Sequence, residues 1–311
     1  MLSIGGVLFM LMSMTLLTSC FTGIEGTKAI TMSKGEAKES LPTPEERYLM
    51  DINSTPEKDW PVGKEFVVAD SKAVLLMDAR KIVSSSAELV AGDTLRYIES
   101  RYITLPDGRK TPAVSFDRAG DVFEYTSRNG NRNIPHILSD EIPGVIDLEM
   151  VNRISDKLKG NRYWTLSKLW DDANGNRTEG KKFIPVTITD VRSGNMIFPY
   201  LIEFVTDDGL KGYYALRLDA KKDSHTFSNM FSFSDPRKLY NGISDQTWQL
   251  ICSGEVKSGM TKDEVRISKG LPSDVRTGHD YSRALLLWNY PDGMVLYFED
   301  GILTGINTYP N

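Results

Sequence analysis

Cysteine is nearly absent. Cys20 and Cys252 are the two in 311 residues, one near the N-terminus and one in a helical pattern far away, so no disulfide scaffold is implied. Histidine occurs three times, as His136, His225 and His279. Each lies in a polar or turn-rich stretch, and none has the i, i+4 partner with which a helix grips zinc. No basic block exists either: 37 Lys and Arg against 42 Asp and Glu leave a net charge of −5. That excludes the electrostatic footprint of a nucleic-acid binder. Long apolar runs are also missing. The run at residues 4–17 is too short for a comfortable bilayer span and has the length of a secretory signal's apolar region, and no other segment could cross. What remains is a chain 40% hydrophobic, long enough for two or three compact domains, each able to bury its own core.

The apolar run ends in Leu17-Thr18-Ser19-Cys20. An apolar residue three before a cysteine, with a small residue just before it, resembles the lipobox of bacterial lipoproteins. The resemblance implies that residues 1–19 are a signal peptide, that the Cys20 thiol carries diacylglycerol, and that the new N-terminus is acylated. At about 0.8 kcal/mol per buried methylene, two or three chains make a stable anchor where one is marginal. The chain departs from the pattern in having no Lys or Arg before the apolar run. The alternative is an ordinary signal or membrane helix whose cysteine is incidental. Residues 20–60 mix Gly, Ser, Pro, Lys and Glu with few clustered apolar side chains and read as a solvated tether, with folding expected to begin near Trp60.

From Lys64 onward the chain reads as short strands. KEFVVAD, KAVLLM, DTLRYIESRYITL, TPAVSFD and DVFEYTS are rich in Val, Phe, Tyr and Thr and are punctuated by turn chemistry at PDG and RAGD. A first β domain with its linker is expected over 61–150, the linker carrying a helix in its second half. A second β domain is expected over 151–240, with RYWTLSKLW, KKFIPVTITDV, YLIEFVT and KGYYALRL. Residues 112–125 and 199–214 match in outline: proline, an apolar strand to Phe116 or Phe204, a turn at Gly120 or Gly209, and a strand closing in Tyr125 or Tyr214. Strands of this length and spacing resemble a pair of small, strongly bent barrels of the bacterial SH3-like type.

Residues 241–311 change character. An amphipathic helix begins at the cap Ser244, a second carries the capping box Thr261 with Glu264 and stops at Gly270 and Pro272, and three strands follow, joined at Asp292-Gly293 and Asp300-Gly301. Gly259-Met260-Thr261, Glu264, Val265, Gly270, Pro272, Trp288, Tyr290, Phe298 and Asp300-Gly301 together resemble the SmpA/BamE domain of outer-membrane lipoproteins, with Lys269 standing where Leu is usual. The resemblance implies a two-layer ααβββ sandwich and a non-catalytic role in binding envelope proteins or lipid. The expected fold is therefore mainly β with an α+β C-terminal domain: two SH3-like barrels followed by a BamE-like sandwich.

Chemistry is sparse. Cys252 falls at the C-terminal end of a helix, where the dipole disfavours thiolate, and reads as packing rather than as a nucleophile. GNRTEGKK satisfies G-x-x-x-x-G-K, but Lys182 stands where a phosphate loop needs Ser or Thr, and a strand follows instead of a helix. DDANGN has calcium-loop composition in the wrong register. The aromatic residues Tyr163, Trp164 and Trp170 precede Asp171-Asp172, and alternation along one strand puts Trp164 and Trp170 on one side. Together with the SHTFSNMFSF stretch around His225, they are either core or a binding face for peptide or sugar. The expectation is a non-enzymatic, lipid-anchored lipoprotein of the bacterial envelope, placed at the outer membrane. It would need no cofactor or metal, bind envelope proteins and meet the membrane through Cys20. Peptidoglycan attachment and an inhibitor-like domain are the alternatives, and a hydrolase would need His225 or His279 to converge on carboxylates in a polar pocket.

Overall fold

The computed structural model describes residues 42–84, 88–127, 136–218, 225–280 and 283–309. The expected leader, Cys20 and the tether up to residue 41 lie outside the described residues. Residues 42–60 correct the tether boundary, because they pack. Helix α1 (Pro44–Arg47) starts at a capping box in which the Glu46 N–H donates to Thr43 Oγ1 at 3.2 Å and the Thr43 N–H donates to Glu46 Oε2 at 2.6 Å. Leu49 and Ile52 then enter the core of the second sheet and Trp60 that of the first. Tyr48, Leu49, Met50 and Ile52 are a short apolar cluster within the stretch read as a tether, and the folded chain buries Leu49 and Ile52 from it.

The first sheet holds β1 (Glu65–Val68), β2 (Met77–Lys81), β3 (Thr94–Thr104), β4 (Lys110–Arg118), β5 (Asp121–Thr126) and β6 (Val145–Asp147), in the order β2-β5-β4-β3-β1-β6. Most of the strand expected at 72–77 is instead a 3-10 turn, Ala73–Leu76, leading into β2. Helix α2 (Leu148–Leu158) follows, with Asp147 Oδ1 accepting the Glu149 N–H at 3.0 Å as its N-cap. Met150, Val151, Ile154 and Leu158 form one buried face against the second sheet, each worth roughly 1.5–3 kcal/mol on burial. The expected domain boundary at 150/151 thus runs through a helix. A buried ion pair fixes it to the first sheet: Lys64 Nζ lies 3.0 Å from Asp147, both side chains 3% exposed.

The second sheet holds β7 (Arg162–Thr165), β8 (Leu169–Asp171), β9 (Arg177–Glu179), β10 (Pro185–Ser193), β11 (Tyr200–Thr206), β12 (Lys211–Leu216) and β13 (Phe231–Ser232), the last preceded by α3 (Phe227–Met230). Its order is β13-β7-β10-β11-β12-β8-β9. Leaving out β9, the two sheets have the same topology strand for strand. The registers also agree: Phe116 pairs with Tyr97 and Phe123, and Phe204 with Ile188 and Gly212. A bulge follows the partner on the neighbouring strand in both, between Tyr97 and Glu99 and between Ile188 and Asp190. Phe66 facing Leu95 corresponds to Tyr163 facing Val186. The outline match of the two hairpins in sequence is one part of this repeat.

In the last part, α4 (Asp245–Ser253) and α5 (Lys262–Lys269) pack on a sheet of four strands, β14 (Asp274–Asp280), β15 (Arg283–Asn289), β16 (Met294–Glu299) and β17 (Ile302–Thr308), in chain order. Three strands were expected; β14 is the addition. The capping box of α5 forms as expected, with the Glu264 N–H on Thr261 Oγ1 at 3.3 Å and the Thr261 N–H on Glu264 Oε2 at 2.7 Å. Asp300 (φ 48°) and Gly301 (φ 85°) give the two positive φ values that a tight β16–β17 turn requires. Lys269 lies 6.0 Å from the Tyr290 ring and pairs with Asp292 at 3.1 Å, so its stem packs while its head is neutralised. Ile251, Val265, Trp288, Leu296, Phe298 and Leu303 form the core between helices and sheet. The chain is mainly β, in curled antiparallel sheets, and Pro42–Asn311 is one compact unit.

Candidate functional site

The four candidate surface residues separate. Tyr163 is 3% exposed, ringed by Phe227, Phe231 and Phe233, and its hydroxyl donates to that of Tyr48 at 3.1 Å; burial pushes its pKa well up. Trp170 is 2% exposed, edge-on to Phe204 at 5.0 Å, with Nε1 donating to the Ser167 carbonyl at 3.1 Å. Gly180 is the backbone that lets the indole fit, since a Cβ there would lie 2.1 Å from the ring. Both residues are core, which corrects their placement on a binding face. The reason is geometric: β7 ends at Thr165 and β8 starts at Leu169, on different sides of the sheet, so alternation does not carry from Trp164 to Trp170.

His225 is half-buried and tilted over the Phe198 ring at 4.2 Å, its carbonyl accepting the Arg217 N–H at 2.9 Å. The stretch after it is α3 and β13, with Phe227, Met230 and Phe231 buried, so it supplies no exposed apolar patch. His136 Nδ1 lies 3.2 Å from Oε1 of the buried Glu57, whose Oε2 accepts the Ile137 N–H at 2.6 Å. This is a brace between the N-terminal segment and the first sheet.

Trp164 reaches an opening. Its strand, β7, pairs it with Pro185 and Ser232, and it lines a cleft of about 740 Å³ between the second sheet and α4. Phe183 and Trp248 form the aromatic wall, their rings stacked at 5.5 Å and 21°. Phe183 has φ 60°, a left-handed conformation that costs a β-carbon residue about 1–2 kcal/mol and that the stacking offsets in part. Arg237 sits 5.0 Å from the Trp248 ring and donates to the Tyr240 carbonyl at 2.7 Å and to Asp245 Oδ1 at 3.0 Å. Arg162 at the rim is held by Asp207 through bonds of 2.8 and 2.7 Å.

Behind the wall, Lys182 ties the second sheet to both helices. Its N–H donates to the Cys252 carbonyl at 2.9 Å, and its Nζ to the Ile267 and Ser268 carbonyls at 2.5 and 2.7 Å, at the end of α5. Burial lowers its pKa to about 8. Burial also pushes the Cys252 thiol up to about 11, so at neutral pH it is a thiol, not a thiolate. The cleft therefore offers aromatic faces and positioned cations, with neither histidine nor thiolate among its lining residues. In the DDANGN turn, Asp172 Oδ1 accepts the N–H groups of Asn174 and Asn176 at 2.8 and 2.9 Å. Among the described residues no group of three His, Cys, Asp or Glu side chains is placed to hold a metal ion, and no helix is long and apolar enough to cross a membrane.

Sequence reading missed Phe183 and Arg237 as parts of this wall. An aromatic residue directly after Gly180-Lys181-Lys182 was the available signal, but its stacking partner Trp248 is 65 positions away and meets it only in the folded chain. No protein-family model matches the chain, and a search of curated proteins finds no significant match.

Proposed function

We propose that this chain is a non-enzymatic, lipid-anchored module of the bacterial envelope that binds envelope proteins, with Cys20 as the attachment point and the Trp164 cleft as its partner surface. In this reading the repeated sheets are SH3-like barrels and residues 241–311 a BamE-like domain. The observation that carries it is the apolar run closing in Leu17-Thr18-Ser19-Cys20. A cleft with stacked aromatic walls and positioned cations suits recognition better than bond-breaking. The test is cross-linking and pull-down from detergent-solubilised envelopes with the native chain, Cys20→Ala and Trp164→Ala. Enrichment of the same envelope protein by the native chain, reduced at least about tenfold in each variant, supports the reading. Equal recovery in all three, or no envelope protein at all, refutes it.

One observation favours attachment to cell-wall glycan as a second reading: the Trp164 ring lines the cleft without stacking on another ring among the described residues. Co-sedimentation with purified peptidoglycan, lost in Trp164→Ala, separates it from the first.

A further inference from the structure

The repeat between the two large sheets breaks at one edge. β1 to β6 correspond in order to β7, β8, β10, β11, β12 and β13, and β9 has no counterpart among the described residues. β9 lies along the outer side of β8, setting Glu179 opposite Leu169, Thr178 opposite Trp170 and Arg177 opposite Asp171. The matching side of β2 carries no strand among the described residues, so β2 ends the first sheet where β8 does not end the second.

Register fixes which residues correspond. Asp171 faces Tyr213, which faces Glu203; Asp78 faces Glu124, which faces Ser115. Glu203 and Ser115 each follow the bulge on the neighbouring strand. Leu76, Met77 and Asp78 therefore stand where Leu169, Trp170 and Asp171 stand. Their environments agree: Met77 and Trp170 are buried, while Leu76 and Leu169 are 49% and 53% exposed.

β9 also shows what chemistry the edge takes. Arg177 donates Nη1 to the Leu169 carbonyl at 2.8 Å, and its Nε lies 3.1 Å from Asp171 Oδ1. Asp78 offers the same carboxylate, exposed and without an ion pair to any described residue. Leu75, 77% exposed, adds apolar surface beside it. The far half of β2 is guarded, by the bulge between Ala79 and Lys81 and by the Lys81 charge. Among the described residues, 76–79 stay open, about the length that β9 covers on β8.

We propose that the open edge of β2 takes up an extended segment of a partner protein as an added antiparallel strand, with an Arg or Lys opposite Asp78 and a small polar residue opposite Met77. Charge selects this occupant over a second copy. Self-pairing of β2 about Asp78 opposes two carboxylates, and the bulge breaks the register that would bring Arg80 opposite Asp78. The proposal is independent of the anchor at Cys20 and of the Trp164 cleft.

The test is hydrogen–deuterium exchange of the full-length chain with the hexapeptide Gly-Asn-Arg-Thr-Glu-Gly, the sequence of residues 175–180. At a Kd of about 1 mM for an unconstrained short segment, peptide at about 5 mM should slow exchange at residues 76–79 about sixfold. Asp78→Arg should abolish the slowing, and a peptide with Glu in place of its Arg should restore it on that variant. Unchanged exchange around Phe116 reports that the variant keeps its fold. Three results overturn the proposal: no slowing at β2 in the native chain, equal slowing by the Arg peptide in Asp78→Arg, or protection that grows with protein concentration without peptide, which assigns the edge to a second copy.

Discussion

Replacing Trp170 by Ala separates the core reading of this residue from the surface reading that its neighbourhood in sequence suggests. The indole is 2% exposed and touches Phe204 edge-on, with Gly180 and Gly212 against its faces. A side chain of this size buries about 150–250 Å², and at roughly 25 cal/mol per Å² its removal forfeits on the order of 4–6 kcal/mol of transfer free energy. Partial collapse brings the expected loss to about 3–5 kcal/mol. The edge contact with Phe204 accounts for roughly 0.5–1.5 kcal/mol of it. Urea unfolding of the full-length chain, followed by far-ultraviolet circular dichroism, gives the midpoint shift for Trp170→Ala and Trp164→Ala side by side. Trp164, half-buried at the cleft, should cost less than about 1.5 kcal/mol. Gly180→Ala offers an independent check, because its Cβ would meet the indole at 2.1 Å and overpacking costs about 1–3 kcal/mol. A Trp170→Ala loss below about 1.5 kcal/mol, or an equal loss for Trp164→Ala, refutes the assignment.

Three further outcomes follow from the same geometry. Lys64→Ala leaves Asp147 without its buried partner and should destabilise the chain by about 3–5 kcal/mol in urea unfolding, whereas removing the exposed Arg96–Glu65 pair should change it by less than about 1 kcal/mol. Lys182 has a pKa of about 8 in the fold against 10.5 for a solvated lysine, so between those values the unfolded chain holds the proton that the folded chain has lost, and stability rises with pH. From about pH 7 to 9 the native chain should gain about 1.4 kcal/mol relative to Lys182→Met, and a gain in the opposite direction in paired denaturation curves contradicts the burial argument. With the Cys252 thiol pushed up to about 11 from 9.0, iodoacetamide at mildly alkaline pH should modify it about a hundredfold more slowly in the folded Cys20→Ala chain than after denaturation, as read by mass spectrometry.

Where a local pattern decides the structure, the residues announce it. The Thr261 and Glu264 capping box, the Asp300-Gly301 turn and the Val-, Phe- and Tyr-rich strands β3, β4, β11 and β12 all form where their chemistry places them. Where partners are distant, they do not. β14, with Asp274, Arg276, Gly278 and Asp280, has little strand propensity of its own and exists because β15 pairs with it along its whole length. Leu49 and Ile52 look like tether residues until the second sheet supplies their core. The repeat shows in sequence at Phe116 and Phe204 and at Tyr125 and Tyr214. It is hidden elsewhere because pairs such as Phe66 with Tyr163 share burial, not identity, and because β9 interrupts the second copy. Of the proposed surface, Tyr163 and Trp170 are core, and a break between β7 and β8 resets the alternation on which the assignment of Trp170 rested.

The anchored-module account stands or falls with the chemistry of residue 20. Intact-mass and N-terminal fragment spectra of the chain purified from bacterial envelopes should show a polypeptide beginning at Cys20 with a diacylglyceryl thioether. A free thiol at that residue, or a chain still carrying residues 1–19, contradicts the account.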